Sequence, residues 1–315
     1  MRFRTYRSLV LVIAAIWLCS CSNDAVSLRQ AKLLGTYPSG SALAFFNGRL
    51  FLMGDDATNM LLLDEDLNVR DSIQVIDTTL QRLPKKIKQD FEGMAVLGYR
   101  KDVSLLLVGS GSLAPYRNYC ATIDPLTKRK TFYDLTLFYQ RLKENGIAEI
   151  NMEGATALPG GLMLASRGNK SYPWNHLIFT DKSFFTNPDS APFTTLRVGA
   201  NTDTSSFRGI SGLDYAAASD KLLLTVSTEN TYNSYSDGSI GKSYLWIIDD
   251  ITSRKRISHI NPDRIIDLES IDARFKGHKI ESVCIIKETR SHLLLALAAD
   301  DDKGQTLLFR VQVKK

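Results

Sequence analysis

Five segments of the chain begin alike, and this recurrence constrains the fold more than anything else in the sequence. Each begins with a small or acidic residue followed by a short β-type run. The openings are Ser41-Ala42-Leu43-Ala44-Phe45, Glu92-Gly93-Met94-Ala95-Val96, Glu153-Gly154-Ala155-Thr156-Ala157, Ser211-Gly212-Leu213-Asp214-Tyr215 and Glu281-Ser282-Val283-Cys284-Ile285. They recur at steps of 51, 61, 58 and 70 residues. A strongly apolar second run follows each (Arg49–Gly54, Val103–Gly109, Gly161–Ala165, Lys221–Val226, His292–Ala298), then a polar loop. A third run comes next (Met60–Leu63, Tyr119–Ile123, His176–Phe179, Ser243–Ile248, Thr306–Val311). Asn47-Gly48 and Pro159-Gly160-Gly161 are turn signals between first and second runs. A supersecondary unit of short strands repeated five times, too small to bury its own faces, is the signature of an all-β propeller.

Fourth strands are placed near Val69–Val75, Lys130–Leu135, Phe193–Val198 and Arg256–Leu268. The fifth repeat reaches the end of the sequence with room for three strands. Ser27–Thr36 is free to supply its outer strand, joining the N-terminal segment to the C-terminal blade and leaving no open seam. Five blades are expected. A six-bladed ring would need a further blade in Ile251–Lys279, a stretch read instead as one long outer strand and a connection. Short helices are expected around Leu83–Gln89 and Leu137–Glu144, each just before a Glu-Gly opening.

In a propeller the first strands line the channel, and the loops after the second strands surround one mouth. Ser41, Glu92, Glu153, Ser211 and Glu281 should therefore form a ring there. The surrounding loops are Gly54-Asp55-Asp56, Gly109-Ser110-Gly111-Ser112, Ser166-Arg167-Gly168-Asn169, Ser227-Thr228-Glu229 and Asp300-Asp301-Asp302. Converging carboxylates repel one another, so they must be protonated, paired with cations or bound to metal. All-oxygen donors suit a hard cation, Ca²⁺ before Mg²⁺. The alternative is structural, with each glutamate bonded to backbone amides nearby. Arg117, Arg167 and Lys170 are the positive groups near the rim. A guanidinium there would favour an anionic ligand, such as a phosphoester. Trp174 and the loop Tyr232–Tyr235 are candidate pocket walls.

The N-terminus carries Arg2, Arg4 and Arg7, an apolar run from Leu9 to Leu18, then Leu18-Cys19-Ser20-Cys21. This is the plan of a secretory signal, not of a spanning helix. The Leu-x-Ser-Cys ending resembles the lipobox of bacterial lipoproteins. It implies a signal peptide over 1–20, acylation of Cys21, a short tether over 21–27, a single propeller domain over 28–315, and a lipid-anchored envelope protein. Ser22 rather than Asp after the cysteine points, in that pattern, to the outer membrane. Charged residues are 23% and the net charge is +5. That charge is partly in the signal and otherwise scattered, which argues against a nucleic-acid partner. Cys120 and Cys284 lie in apolar runs and read as small buried hydrophobes. The four histidines show no zinc-type spacing.

The stretch Ser41 to Leu50, Ser-Ala-Leu-Ala-Phe-Phe-Asn-Gly-Arg-Leu, resembles the first-blade segment of the calcium-activated nucleotidases (apyrases). That resemblance implies a five-bladed propeller whose channel Ca²⁺ is held by one residue per blade, in the order Ser, Glu, Glu, Ser, Glu. The openings here follow that order. Asp55-Asp56, the helix before Glu153, Arg167 and Ser227-Thr228-Glu229 also match in position. The long inserted loops of the nucleotidases are absent or shortened. The chain also resembles exported propellers described as phytase- or esterase-like. The enzymatic expectation is a Ca²⁺-dependent phosphohydrolase with Arg167 stabilising developing charge and Asp56 or Glu229 as base. Asp55, Ser110, Ser112 and Asn169 would contact the ligand. The alternative is a non-catalytic propeller that binds a ligand or a protein around a structural Ca²⁺. No feature bears on oligomeric state.

Overall fold

The computed structural model describes residues 25–98, 102–199, 207–229, 231–233, 240–300 and 304–315. The signal segment and Cys21 lie outside the described residues. Five sheets follow one another around a ring. Blade 1 holds β2 (Gly40–Phe46), β3 (Arg49–Gly54), β4 (Asn59–Leu63) and β5 (Val69–Gln74), after β1 (Val26–Leu34) has joined the last blade. Blade 2 holds β6 (Phe91–Leu97), β7 (Ser104–Gly109), β8 (Tyr119–Ile123) and β9 (Lys130–Asp134). Helix α1 (Thr136–Glu144) leads to blade 3, which holds β10 (Met152–Leu158), β11 (Gly161–Ser166), β12 (Asn175–Thr180) and β13 (Thr194–Val198). Blade 4 holds β14 (Arg208–Ala216), β15 (Lys221–Glu229) and β16 (Ile240–Ile248). After β17 (His259–Ile260), β18 (Arg264–Asp267) completes blade 4, and β19 (Lys279–Glu288), β20 (His292–Asp300) and β21 (Thr306–Lys314) form blade 5. The five-bladed all-β expectation holds.

The ring closes as the sequence suggests. β1 pairs antiparallel with β21, from Val26↔Val313 to Leu34↔Thr306. At its upper end Gly40 N donates to Thr306 Oγ1 at 2.8 Å, and Thr306 Oγ1 donates to Tyr37 O at 3.0 Å, tying blade 1 to blade 5.

Two expectations are corrected. The stretch 256–268 is not one outer strand. Pro262 lacks the N–H that a ladder needs, and the chain divides around it. β17 pairs in parallel with β13, so blade 3 gains a fifth strand, while β18 pairs with β16 as the outer strand of blade 4. The segment Leu83–Gln89 is a loop with a single turn, not a helix. Leu83 N is held by Asp56 O at 2.8 Å, and Asp90 has φ of +55°, so the chain is pinned at one end and turned sharply at the other.

Second strands are apolar throughout because neighbouring blades cover both faces; Leu105, Leu106, Leu107 and Val108 have no exposed surface. First strands crowd the axis and are built from small residues. A Cβ at Gly93 would lie 2.7 Å from the backbone of Gly154, and one at Gly212 would lie 2.7 Å from Ser282 Cα. The glycine of the Glu-Gly opening is thus the point where adjacent first strands meet. Gly93→Ala is expected to cost about 1–3 kcal/mol in urea unfolding. Gly35→Ala, whose methyl would meet only Gln305 Nε2 at 3.6 Å, should cost less than about 0.5 kcal/mol.

Candidate functional site

Each first strand carries a β-bulge at the same place. The register skips Ser41 between Gly40 and Ala42, Glu92 between Phe91 and Gly93, and Glu153 between Met152 and Gly154. It skips Ser211 between Ile210 and Gly212, and Glu281 between Ile280 and Ser282. A bulged residue is freed from the ladder and re-aimed. All five positions picked out in the sequence are these bulges.

The side chains do not form one equivalent ring. Ser41 Oγ donates to Phe91 O at 2.7 Å, and Ser211 Oγ donates to Ile280 O at 2.5 Å. Each serine latches its blade to the carbonyl just before the next blade's glutamate. The three glutamates face a polar cavity of about 110 Å³ at the mouth, room for an ion with its shell or a few waters.

Seven carboxylates and five cationic side chains line that cavity. On the side of blades 1 and 2, the Lys88 ammonium lies between Asp55 and Asp90, 2.5 Å from Asp90 Oδ1. Arg117 Nη1 donates to Asp90 Oδ2 at 2.7 Å, and Ser110 Oγ to the same oxygen at 2.5 Å. Asp55, Asp90 and Glu92 each present a carboxylate oxygen within 4.8 Å of the others. On the side of blades 3 to 5, Arg167 Nη2 donates to Glu229 Oε2 at 2.8 Å, and Lys279 Nζ lies 3.2 Å from Glu229 and 2.9 Å from Glu281. Asn151 Nδ2 donates to Glu153 Oε1 at 2.5 Å.

Asp55, Arg167, Asn169 and Glu229 line the mouth as expected, and so does Asp300. Asp301 and Asp302 lie outside the described residues. Asp56 does not line it; its carboxylate is bound to Arg82 instead. Ser110 and Ser112 sit behind Asp90 and hydrogen-bond it and Arg117. Asn169 Oδ1 accepts from Ser171 N and Tyr172 N, and its amide donates to Glu149. Lys170 lies over the Tyr232 ring, and Arg197 over Trp174, and neither Lys170 nor Arg197 lines the cavity. Tyr235 lies outside the described residues. Lys88, Asp90, Asn151 and Lys279 were not singled out in the sequence. A signal existed: Asp90, Asn151 and Lys279 each stand two residues before an opening glutamate, where strand alternation returns to the same side. The corresponding residue in blade 4 is Gly209. A Cβ there would lie 2.9 Å from Arg167 Cγ and Cζ, so the missing side chain makes room for that guanidinium.

Residues 36–313 match the model of a family described as a family of unknown function (DUF6929). The chain belongs to this family. No match was found among curated proteins. Among solved structures the chain is similar to the glutaminyl cyclase of Myxococcus xanthus, at 12% identity and a TM-score of 0.52, over 92% of this chain and 97% of that one. It is also similar to a tail fibre of Staphylococcus aureus phage P68, at 10% identity and a TM-score of 0.43, over 90% of this chain and 53% of that one. A DUF4221 member from Bacteroides vulgatus is matched at 8% identity and a TM-score of 0.37, over 84% of this chain and 76% of that one. At such identities the glutaminyl cyclase likeness carries the fold alone.

Burial dominates the electrostatics of the site. It lifts Glu92 well above the usual carboxylate range, and Asp90, Glu153, Asp55 and Glu281 add to the shift. It lifts Glu153 to about 7 against the pull of Arg167 and Lys279, and Asp55 to about 6 against that of Lys88. Burial also works against the Asp90 carboxylate, yet Lys88 and Arg117 hold it below its ordinary value. Among the described residues, Asp55 Oδ1, Glu281 Oε2 and Arg167 Nη1 are buried without a hydrogen-bond partner. Unpartnered carboxylate oxygens in an all-oxygen cluster fit a hard cation, and the unpartnered guanidinium nitrogen fits an anion.

A pH dependence follows. Between the ordinary glutamate value of 4.5 and about 7, folded Glu153 holds a proton that the unfolded chain has released. Stability contributed by this group is complete below that window and lost as pH rises through it. With chelator present, the urea midpoint should fall from pH 4.5 to 7.5, and Glu153→Gln should flatten the fall. An unchanged slope in the variant would contradict this assignment.

Proposed function

We propose that the mouth of the channel binds a hard divalent cation, Ca²⁺ first, together with a small anionic ligand. The observation that carries this reading is the approach of the Asp55, Asp90 and Glu92 oxygens to within 4.8 Å of one another. The unpartnered Asp55 Oδ1 and Glu281 Oε2 support it. Asp55, Asp90 and Glu92 would hold the ion, with Glu153 and Glu281 facing them across the cavity. The ion would supply neutralisation of these acids and polarisation of a bound phosphoryl oxygen. Arg167 supplies the opposite pole. It is buried, oriented by Glu229 and Ser227, and has one nitrogen left to receive an anion. Lys88 is already seated between two of the acids, so it competes with the incoming cation.

Calorimetry with chelated, then Ca²⁺-titrated protein tests this. Wild type should bind one Ca²⁺, and Glu92→Gln should weaken it about ten-fold or more, as losses at metal sites do. Lys88→Met should tighten it. Absence of Ca²⁺ binding in wild type and in Lys88→Met alike would end the cation reading.

A second reading is hydrolysis of a phosphoester at the same place. Arg167 and Glu229 sharing the cavity with the acidic cluster favour it. In this reading Arg167 stabilises charge on the phosphoryl group, and Glu229 is the remaining candidate for the base, since Asp56 is held by Arg82 outside the cavity. Glu229 is itself paired to Arg167 and Lys279, which lowers its power as a base. Binding is therefore the primary reading. Phosphate release from nucleoside diphosphates or phytate that requires Ca²⁺ and is lost in Arg167→Met would establish the enzyme. No release from a broad phosphoester panel by Ca²⁺-loaded protein would leave the site a binding site.

Export and a lipid anchor at Cys21, in the outer membrane, complete the proposal. The basic start, the short apolar run and the Leu-x-Ser-Cys motif support them. Among the described residues no helix is long and apolar enough to cross a membrane.

A further inference from the structure

We infer that the polar mouth is held pointing away from the bilayer, and that the lower corner of blade 5 rests on the lipid headgroups. This rests on the lipid anchor at Cys21 proposed above. The first strands begin at the mouth, so second strands climb to it, third strands descend and outer strands climb again. β1 is the outer strand of blade 5. Its first residue, Val26, pairs with Val313 near the lower end of β21, and its last, Leu34, pairs with Thr306 beside the mouth. The chain therefore enters the propeller at the face opposite the ion cavity. Ala25 O accepts from Lys314 N at 2.7 Å, which fixes that entry point to the lower edge.

Length then decides the orientation. Three residues, Ser22 to Asp24, separate Cys21 from Ala25. Four steps of extended chain reach at most about 14 Å. The nine residues of β1 rise about 28 Å from the lower edge to the mouth. The tether is half the height of the wall it would have to climb, so the acylated cysteine cannot bring the mouth to the membrane.

The corner around the entry point has chemistry suited to headgroups. Lys287, Arg290 and Lys314 are exposed there. Of the acids close by, Glu288 pairs with Lys315 at 2.5 Å and Asp66 with Arg310 at 2.9 Å. The partner is thus a bilayer carrying anionic phosphate headgroups, attracted over the last ångströms by lysine and arginine. The far end of the channel opens on the same side, lined by Phe45, Met94, Val96, Leu158, Tyr215 and Ile285.

Full-length protein isolated with its lipid and placed in phosphatidylethanolamine–phosphatidylglycerol vesicles tests the inference. Single cysteines are introduced at Ser291, beside the entry point, or at Tyr116, on the exposed rim of the mouth, and labelled with a polarity-sensitive dye. Cys120 and Cys284 are buried and do not compete for label. Nitroxide-bearing headgroups should quench the label at position 291 at least about three-fold more than the label at 116. Mass analysis of the peptide containing Cys21 is read in parallel. An unmodified Cys21 overturns the anchor and the orientation with it. A lipidated chain quenched equally at both positions, or more at 116, overturns the orientation and leaves the anchor standing.

Discussion

The bulge that recurs in every first strand is the constraint from which the rest follows. Five innermost strands must converge on one axis, and there is little room for side chains where they meet. Gly93, Gly154 and Gly212 give up their side chains at that point, because a Cβ would strike the next strand's backbone or side chain. The residue just before each of these glycines leaves the ladder and turns toward the channel. One local device thus serves both packing and chemistry. It brings adjacent blades into contact, and in three of the five blades it delivers a glutamate to the mouth.

What each blade delivers is limited by electrostatics. Two like charges about 5 Å apart repel by on the order of 3 kcal/mol at an effective dielectric of 20. Five carboxylates on a ring this small would not be tolerated. Two positions are serines, and each spends its hydroxyl on a carbonyl of the next blade. Asp90 and Asp55 share Lys88, while Glu229 and Glu281 share Lys279. The compensation is incomplete, since acids outnumber cations around the cavity and burial lifts Glu92, Glu153 and Asp55. A net negative, partly protonated cavity with a resident ammonium is poised to exchange protons or lysine for a stronger cation.

The fold was largely legible because strand signals are local. The runs Arg49–Gly54 and Tyr119–Ile123 are strands over those residues, and Ser27–Thr36 covers all but the first residue of the closing strand β1. Legibility failed where long-range contacts override local pattern. Leu83–Gln89 has helical composition but is stretched between Asp56 and the channel. The stretch around Pro262 reads as one strand but serves two sheets. At the site, the bulge positions were legible from recurrence. Lys88 was not, because a lone lysine in sequence looks solvated and is identified as buried only by the acids, Asp55 and Asp90, that the fold brings to it.

The two faces of the ring divide the physical work. One end of the channel concentrates charge and excludes apolar groups; the other is lined by Phe45, Met94 and Ile285, with Asp214 tied by Thr156, Tyr215 N and Ile285 N. Asp214 at the lower end accepts hydrogen bonds from blades 3, 4 and 5, so it stitches the ring together and has no acceptor turned to a ligand in the way Glu281 does. A buried carboxylate therefore does opposite things at the two ends. Its role is set by whether the neighbouring blades offer it donors or further carboxylates.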